Sequence, residues 1–214
     1  MTDVFDPHVS AAPDDPADAP DETHGLSHVT ATGISNEKLA MWAFLGSECL
    51  LFGGLISTFL LYKDTGDGGP VPHDLYDIPF TSISSFVLLM SSVTMVLAVS
   101  AIQRDDLRAM RGWLCTTALL GTVFISGQVY EFTEFLNEGF GFTSNPAWSS
   151  FYALTGFHGV HVTLGIVMLL SIVLISRTGR VSKQTSEAVE IAGLYWHFVD
   201  VVWVVIFTIV YLIK

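Results

Sequence analysis

Six ionisable side chains lie deep inside long apolar stretches of this 214-residue chain: Glu48, Glu131, His158, His161, His197 and Asp200. A charge or an imidazole in hydrocarbon costs several kcal/mol unless it is paired or faces a protected interior. Three chemistries use such groups: haem ligation, proton relay, and hydrogen bonding between helices. Two haems held in one bundle need two histidines on one helix, far enough apart to reach opposite leaflets. His158 and His161 are three residues apart, about 4.5 Å along a helix, and cannot do this. One haem between His161 and His197 stays open. No chain of carboxylates leads from Glu48 to both surfaces, so a complete proton pump within the chain is not expected. His197 and Asp200 share a helix face and could pair directly. Glu48 is flanked by Gly46, Ser47, Cys49 and Leu50, and the nearest cations, Lys38 and Lys63, lie at the two ends of its helix. It reads as an isolated carboxyl in a medium that disfavours its charge.

Five apolar stretches must position these groups, at roughly 39–62, 80–102, 113–136, 150–175 and 188–212. Each reaches the about 20 residues that a bilayer crossing needs. Half the residues are hydrophobic and 14% are charged. The expected fold is all-α: a polytopic bundle of five transmembrane helices over 39–214, preceded by a disordered acidic tail over 1–38. Pro7, Pro13, Pro16 and Pro20 alternate there with Asp and Ala, and eight of the chain's 21 acidic residues lie in it. His8, His24 and His28 read as solvated rather than metal-binding. The formal charge of −12 and the lack of a basic patch exclude nucleic-acid binding. Cys49 and Cys115 stand in apolar segments with no CxxC motif, so both read as buried hydrophobes, and the paired cysteines of a binuclear copper site are missing. The acidic N-terminus has no cleavable signal pattern, so the first helix is expected to direct insertion.

Lysine and arginine set the orientation. Lys38, Arg104, Arg108, Arg111, Arg177, Arg180 and Lys183 fall on one side, and Lys63 and Lys214 on the other. The N-terminus is therefore expected in the cytoplasm and the C-terminus outside. With about 1.5 Å per residue, Glu48 and His197 lie roughly 14 Å from the cytoplasmic surface. Asp200 is one turn further out, His161 is near the midplane, and Glu131 is close to the outer interface. Gly46, Ser47, Gly53 and Gly54 on the first helix and Gly156, Gly159 and Gly165 on the fourth are expected to form tight helix contacts, within the bundle or equally with another subunit.

Four strings stand on four of the five helices: Gly-Ser-Glu-Cys-Leu-Leu-Phe at 46–52, Gly-Gln-Val-Tyr-Glu-Phe at 127–132, Thr-Gly-Phe-His-Gly-Val-His-Val at 155–162, and Leu-Tyr-Trp-His-Phe-Val-Asp-Val-Val-Trp at 194–203. In order and content they resemble the hallmark segments of subunit III of haem–copper terminal oxidases, the cytochrome c oxidase type. The resemblance covers about residues 39–214 and fits the five-helix form. Longer members carry two more N-terminal helices, and the acidic tail has no counterpart.

The resemblance implies an accessory subunit in the aerobic respiratory chain of a bacterial or archaeal cell membrane. Such a subunit belongs to a proton-translocating oxidase but has no active site of its own. It would carry no haem or copper, those being in partner subunits, and would hold phospholipid. It would pack directly on subunit I, beside subunit II and a small subunit IV, and support proton uptake and stable turnover during oxygen reduction to water. Glu48 would be the buried carboxylate linked to proton uptake. Glu131, His158, His161, His197 and Asp200 would be structural or lipid-contacting. Rival readings are subunit III of a quinol oxidase, an accessory membrane protein of a nitric oxide reductase, and a free-standing transporter. The transporter would need an inverted repeat, which the sequence does not show.

Overall fold

The computed structural model describes residues 35–64, 78–178 and 183–212. The predicted tail, apart from its last few residues, and most of the first outer loop lie outside the described residues. The chain divides into Met1–Asn36 and a helical unit, Glu37–Lys214. Five long helices follow one another: α1 Asn36–Tyr62, α2 Ile78–Gln103, α3 Leu107–Asn137, α4 Pro146–Arg177 and α5 Lys183–Phe207, which runs on into a π turn at Thr208–Leu212. All five spans are long and apolar enough to cross a membrane. Large apolar residues such as Leu50, Ile83, Leu119 and Leu174 point outward, as a lipid-facing surface requires.

The predicted boundaries agree to within five residues, the start of α5 coming five residues early, and differ most, by six, at the start of α3. The sequence puts Arg108 and Arg111 in a loop, whereas the helix already begins at Leu107. Asp106 causes the difference. Its Oδ1 accepts from the backbone N–H of Arg108 at 3.2 Å and of Ala109 at 3.0 Å, capping two donors that a helix start leaves unmatched. Asp105, with φ of 59°, makes the reversal from α2. Arg111 then reaches across to the end of α4, donating Nε–H to Ser176 Oγ at 2.8 Å and Nη2–H to the Ser176 carbonyl at 2.5 Å. At the opposite end, Asn145 caps α4 through Trp148 N–H at 2.9 Å, and Pro146 opens the first turn.

The body of the bundle is α2–α5. Trp196 acts as its wedge. A Cβ at Gly121 would come within 2.7 Å of the indole, and one at Gly165 within 2.9 Å, so α3 and α4 close on it only because both residues are glycine. Hydroxyls of α2 meet donors of α5: Trp196 Nε1–H donates to Ser91 Oγ and Trp203 Nε1–H to Ser85 Oγ, each at 2.9 Å. As residue numbers rise on α5 they fall on α2, which sets the two helices antiparallel.

Helix α1 is built differently. Its buried residues, Leu45, Phe52 and Phe59, recur every seven positions and form a single narrow seam. Gly46, Gly53 and Gly54 lie off that seam, and a Cβ on any of them would meet nothing within 4 Å. The expectation that they make tight contacts within this chain is thus corrected, as it is for Gly156 on α4. Cys49 and Cys115 are exposed rather than buried, since their positions fall on outward faces.

Candidate functional site

Glu48 stands on the α1 seam and is not isolated. Its Oε2 lies 3.0 Å from His161 Nε2 on α4. The other ring nitrogen, Nδ1, lies 2.7 Å from the Phe157 carbonyl. A carbonyl can only accept, so Nδ1 holds a hydrogen. One further proton then lies between Nε2 and the carboxyl. Whether it rests on oxygen or on nitrogen, the pair as a whole is neutral, which removes most of the cost of placing it in hydrocarbon. The partner is 113 positions away in sequence, which is why inspection of the first helix alone makes Glu48 look solitary. Tyr195 of α5 adds a third helix, its hydroxyl donating to the His161 carbonyl at 2.9 Å.

His158 shares α4 but not this environment. It is fully buried, stacked on Trp203 at 4.8 Å with Phe124 and Phe52 edge-on, and neither ring nitrogen has a hydrogen-bond partner among the described residues. A three-residue step turns His158 into the core while His161 faces α1. Phe52 touches both rings.

The expected direct pairing of His197 with Asp200 is corrected. Ser92 of α2 stands between them: its Oγ lies 3.0 Å from His197 Nδ1 and donates to Asp200 Oδ2. Side chains three apart on a helix point along the same face, and here both reach for the hydroxyl on the facing helix rather than for each other. Asp200 is buried, and its Oδ1 has no partner among the described residues.

Glu131, expected near the interface, is buried at a junction of three helices. The Tyr211 hydroxyl, in the π turn, lies 3.2 and 3.1 Å from its two oxygens, and Thr81 Oγ1 donates at 3.1 Å.

Several participants escaped the sequence reading, the hydroxyls of Thr81, Tyr195 and Tyr211 among them. Ser92 looks like any serine in an apolar run. Gln128 is buried, donates to the Thr155 carbonyl at 2.7 Å, and fits because position 159 is glycine. Glu190 bridges to Lys38 at 2.6 Å, tying α5 to α1 at the end where the arginines cluster. A signal existed only for the last: opposite charges at equal distance from the same membrane face.

Apart from His158, the intramembrane ionisable side chains are spent on ties between helices, and each tie joins residues distant in sequence. Among the described residues, no three of His, Cys, Asp and Glu gather closely enough to hold a metal ion. This defines a class: a multi-pass membrane protein whose intramembrane carboxyls and imidazoles hold a bundle together. Comparison with known proteins narrows it. The family profile described as cytochrome c oxidase subunit III matches residues 21–214. Cytochrome c oxidase subunit 3 of Bacillus sp. (strain PS3) is 40% identical over 177 residues, covering 83% of this chain and 86% of that protein. Quinol oxidase subunit 3 of Bacillus subtilis (strain 168) is 39% identical over 187 residues, covering 87% and 91%. Probable quinol oxidase subunit 3 of Staphylococcus saprophyticus is 40% identical over 177 residues, covering 82% and 88%. This chain belongs to the cytochrome c oxidase subunit III family of haem–copper oxidases.

Proposed function

We propose that this chain is the non-catalytic subunit III of an oxygen-reducing, proton-translocating oxidase, with haem and copper confined to partner subunits. It packs on subunit I beside subunit II and a small subunit IV, holds phospholipid on its apolar faces, and supports proton uptake and durable turnover. The observation that carries this reading is the subunit III family match over residues 21–214, and the Glu48–His161 pair accords with it, since both imidazole nitrogens of His161 are engaged by groups of this chain. The test is the intact oxidase purified with and without this chain. Removal should leave oxygen reduction and the haem spectra of the remaining complex in place, while proton pumping or working lifetime falls. Loss of a haem with the chain would overturn the reading.

A quinol-oxidising complex is the second reading, because relatives of both names match equally well. Assays of the complex with reduced cytochrome c and with a quinol decide between the two. The N-terminus is assigned to the cytoplasm on the arginine and lysine distribution. Reporter fusions within 105–112 and after Lys214 should report opposite sides of the membrane. The same side for both would contradict the assignment.

A further inference from the structure

A groove of about 330 Å³ opens between α2 and α5 in the arginine-bearing half of the bundle, lined among others by Val96, Ser100 and Gln103 of α2 and by Glu190, Gly193 and His197 of α5. Its lining is mostly apolar, with Val99 and Leu194 beside Val96; Gln103 and Glu190 are its polar residues toward the arginine-bearing end, and His197 lies seven residues further along α5. Ser92 has one proton to donate, and Asp200 Oδ2 accepts it. His197 Nδ1, at 3.0 Å, must then donate its hydrogen to the serine oxygen. That leaves Nε2 as the nitrogen able to take a proton from the groove. Asp200 is only 4% exposed and its Oδ1 has no partner among the described residues.

We infer that the groove, His197 and Ser92 form a proton-loading path that ends on Asp200. A proton from water in the groove adds to Nε2. The Nδ1 proton passes to Ser92 Oγ while the serine's own proton passes to Asp200 Oδ2. The products are a neutral acid at Asp200, a neutral imidazole protonated on Nε2, and an intact hydroxyl. Discharge runs the same bonds in reverse and restores the Nδ1 hydrogen; no electron moves. The titratable groups around the path are few. His197 is one turn away on α5, Glu190 and Lys38 are paired at the arginine-bearing end, His158 and the Glu48–His161 pair lie on the α4 and α1 side, and Glu131 lies at the far end. The described part of α2 presents serines there and no titratable side chain. The path is blind. The next polar pair along this seam is Trp203 with Ser85, and an indole N–H can donate but not accept, so it cannot relay. Asp200 is therefore a store filled and emptied from one side. The inference rests on the proposed function only in giving that stored proton a user.

The test uses the intact oxidase complex and infrared difference spectra recorded through a downward pH step. A carbonyl band of a newly protonated carboxyl should rise in the wild type, shift with ¹³C-aspartate labelling, and be missing from Asp200→Asn. In Ser92→Ala and His197→Phe complexes that retain this chain, the band should rise at least about tenfold more slowly, as loss of a relay group in a proton transfer predicts. If Asp200→Asn does not assemble, the isotope shift in the wild type together with the Ser92→Ala rate decides. A band that survives in Asp200→Asn, that does not move with aspartate labelling, or that rises at the wild-type rate in both relay variants overturns the inference. None of these readouts depends on pumping, so the subunit's role in turnover stands or falls separately.

Discussion

Helix α1 and the α2–α5 seam join the same bundle by different physics. Between α2 and α5, tryptophan N–H groups donate to serine hydroxyls and one hydroxyl serves two α5 side chains, while the α5 indole of Trp196 fills the space left by glycines of α3 and α4. Along α1 there is a single heptad-spaced row, Leu45, Phe52 and Phe59, with one neutral Glu–His tie inside and one ion pair at the rim. Lipid is as apolar as leucine, so burying apolar area does little to hold membrane helices together; close packing and hydrogen bonds decide. A helix with its glycines on the outside forgoes close packing. The comparison teaches that small residues stabilise a contact only where a partner's large side chain enters the space they leave.

The largest effect should come from filling that space. Gly121→Leu or Gly165→Leu forces Trp196 out of its slot and should cost on the order of 1–3 kcal/mol or prevent assembly. Gly53→Leu, on the open face of α1, should stay within about 0.5 kcal/mol in the stability of this chain itself. Thermal unfolding of the purified complex, read by release of this subunit, measures both. Similar losses at the two places would erase the contrast drawn here.

Next comes the α1 tie. Glu48→Ala leaves the His161 Nε2 buried without its partner, at a cost of about 1–3 kcal/mol. Glu48→Gln keeps a hydrogen-bonding group in place and should recover much of the stability, while losing whatever proton exchange the carboxyl supports. Retention of the subunit and proton pumping, measured side by side, separate the two roles. Equal behaviour of the Ala and Gln variants in both assays would show that the hydrogen bond contributes nothing.

The smallest effect belongs to the rim. Lys38 and Glu190 are both partly exposed, and Lys38→Ala should cost only about 0–1 kcal/mol, less at high salt. A salt-independent loss of several kcal/mol would mean that α1 hangs on this pair rather than on its buried seam.

The five spans were legible because their signal is one-dimensional: an unbroken apolar run long enough for a bilayer needs no knowledge of neighbours. The start of α3 was not, because a single aspartate cap outweighs composition over six residues. All six intramembrane ionisable residues were legible for the same reason as the spans, since hydrocarbon makes any ionisable side chain conspicuous. Their partners were not. Ser92, Tyr211 and Gln128 carry no charge, and nothing in their local sequence marks them as hydrogen-bonding groups for a helix tens of residues away.

Local chemistry along the chain thus determined the membrane class, the number of crossings and the list of costly side chains. Only the tertiary structure decided how those costs are met: that Glu48 is tied to His161, that Ser92 stands between His197 and Asp200, and that Gly121, Gly159 and Gly165 of α3 and α4 pack while Gly46, Gly53 and Gly54 of α1 do not. The reason is geometric. Composition and period report what one helix can bury, whereas a hydrogen bond across helices depends on the rotation and register of two helices at once, and those are set by packing against the rest of the bundle.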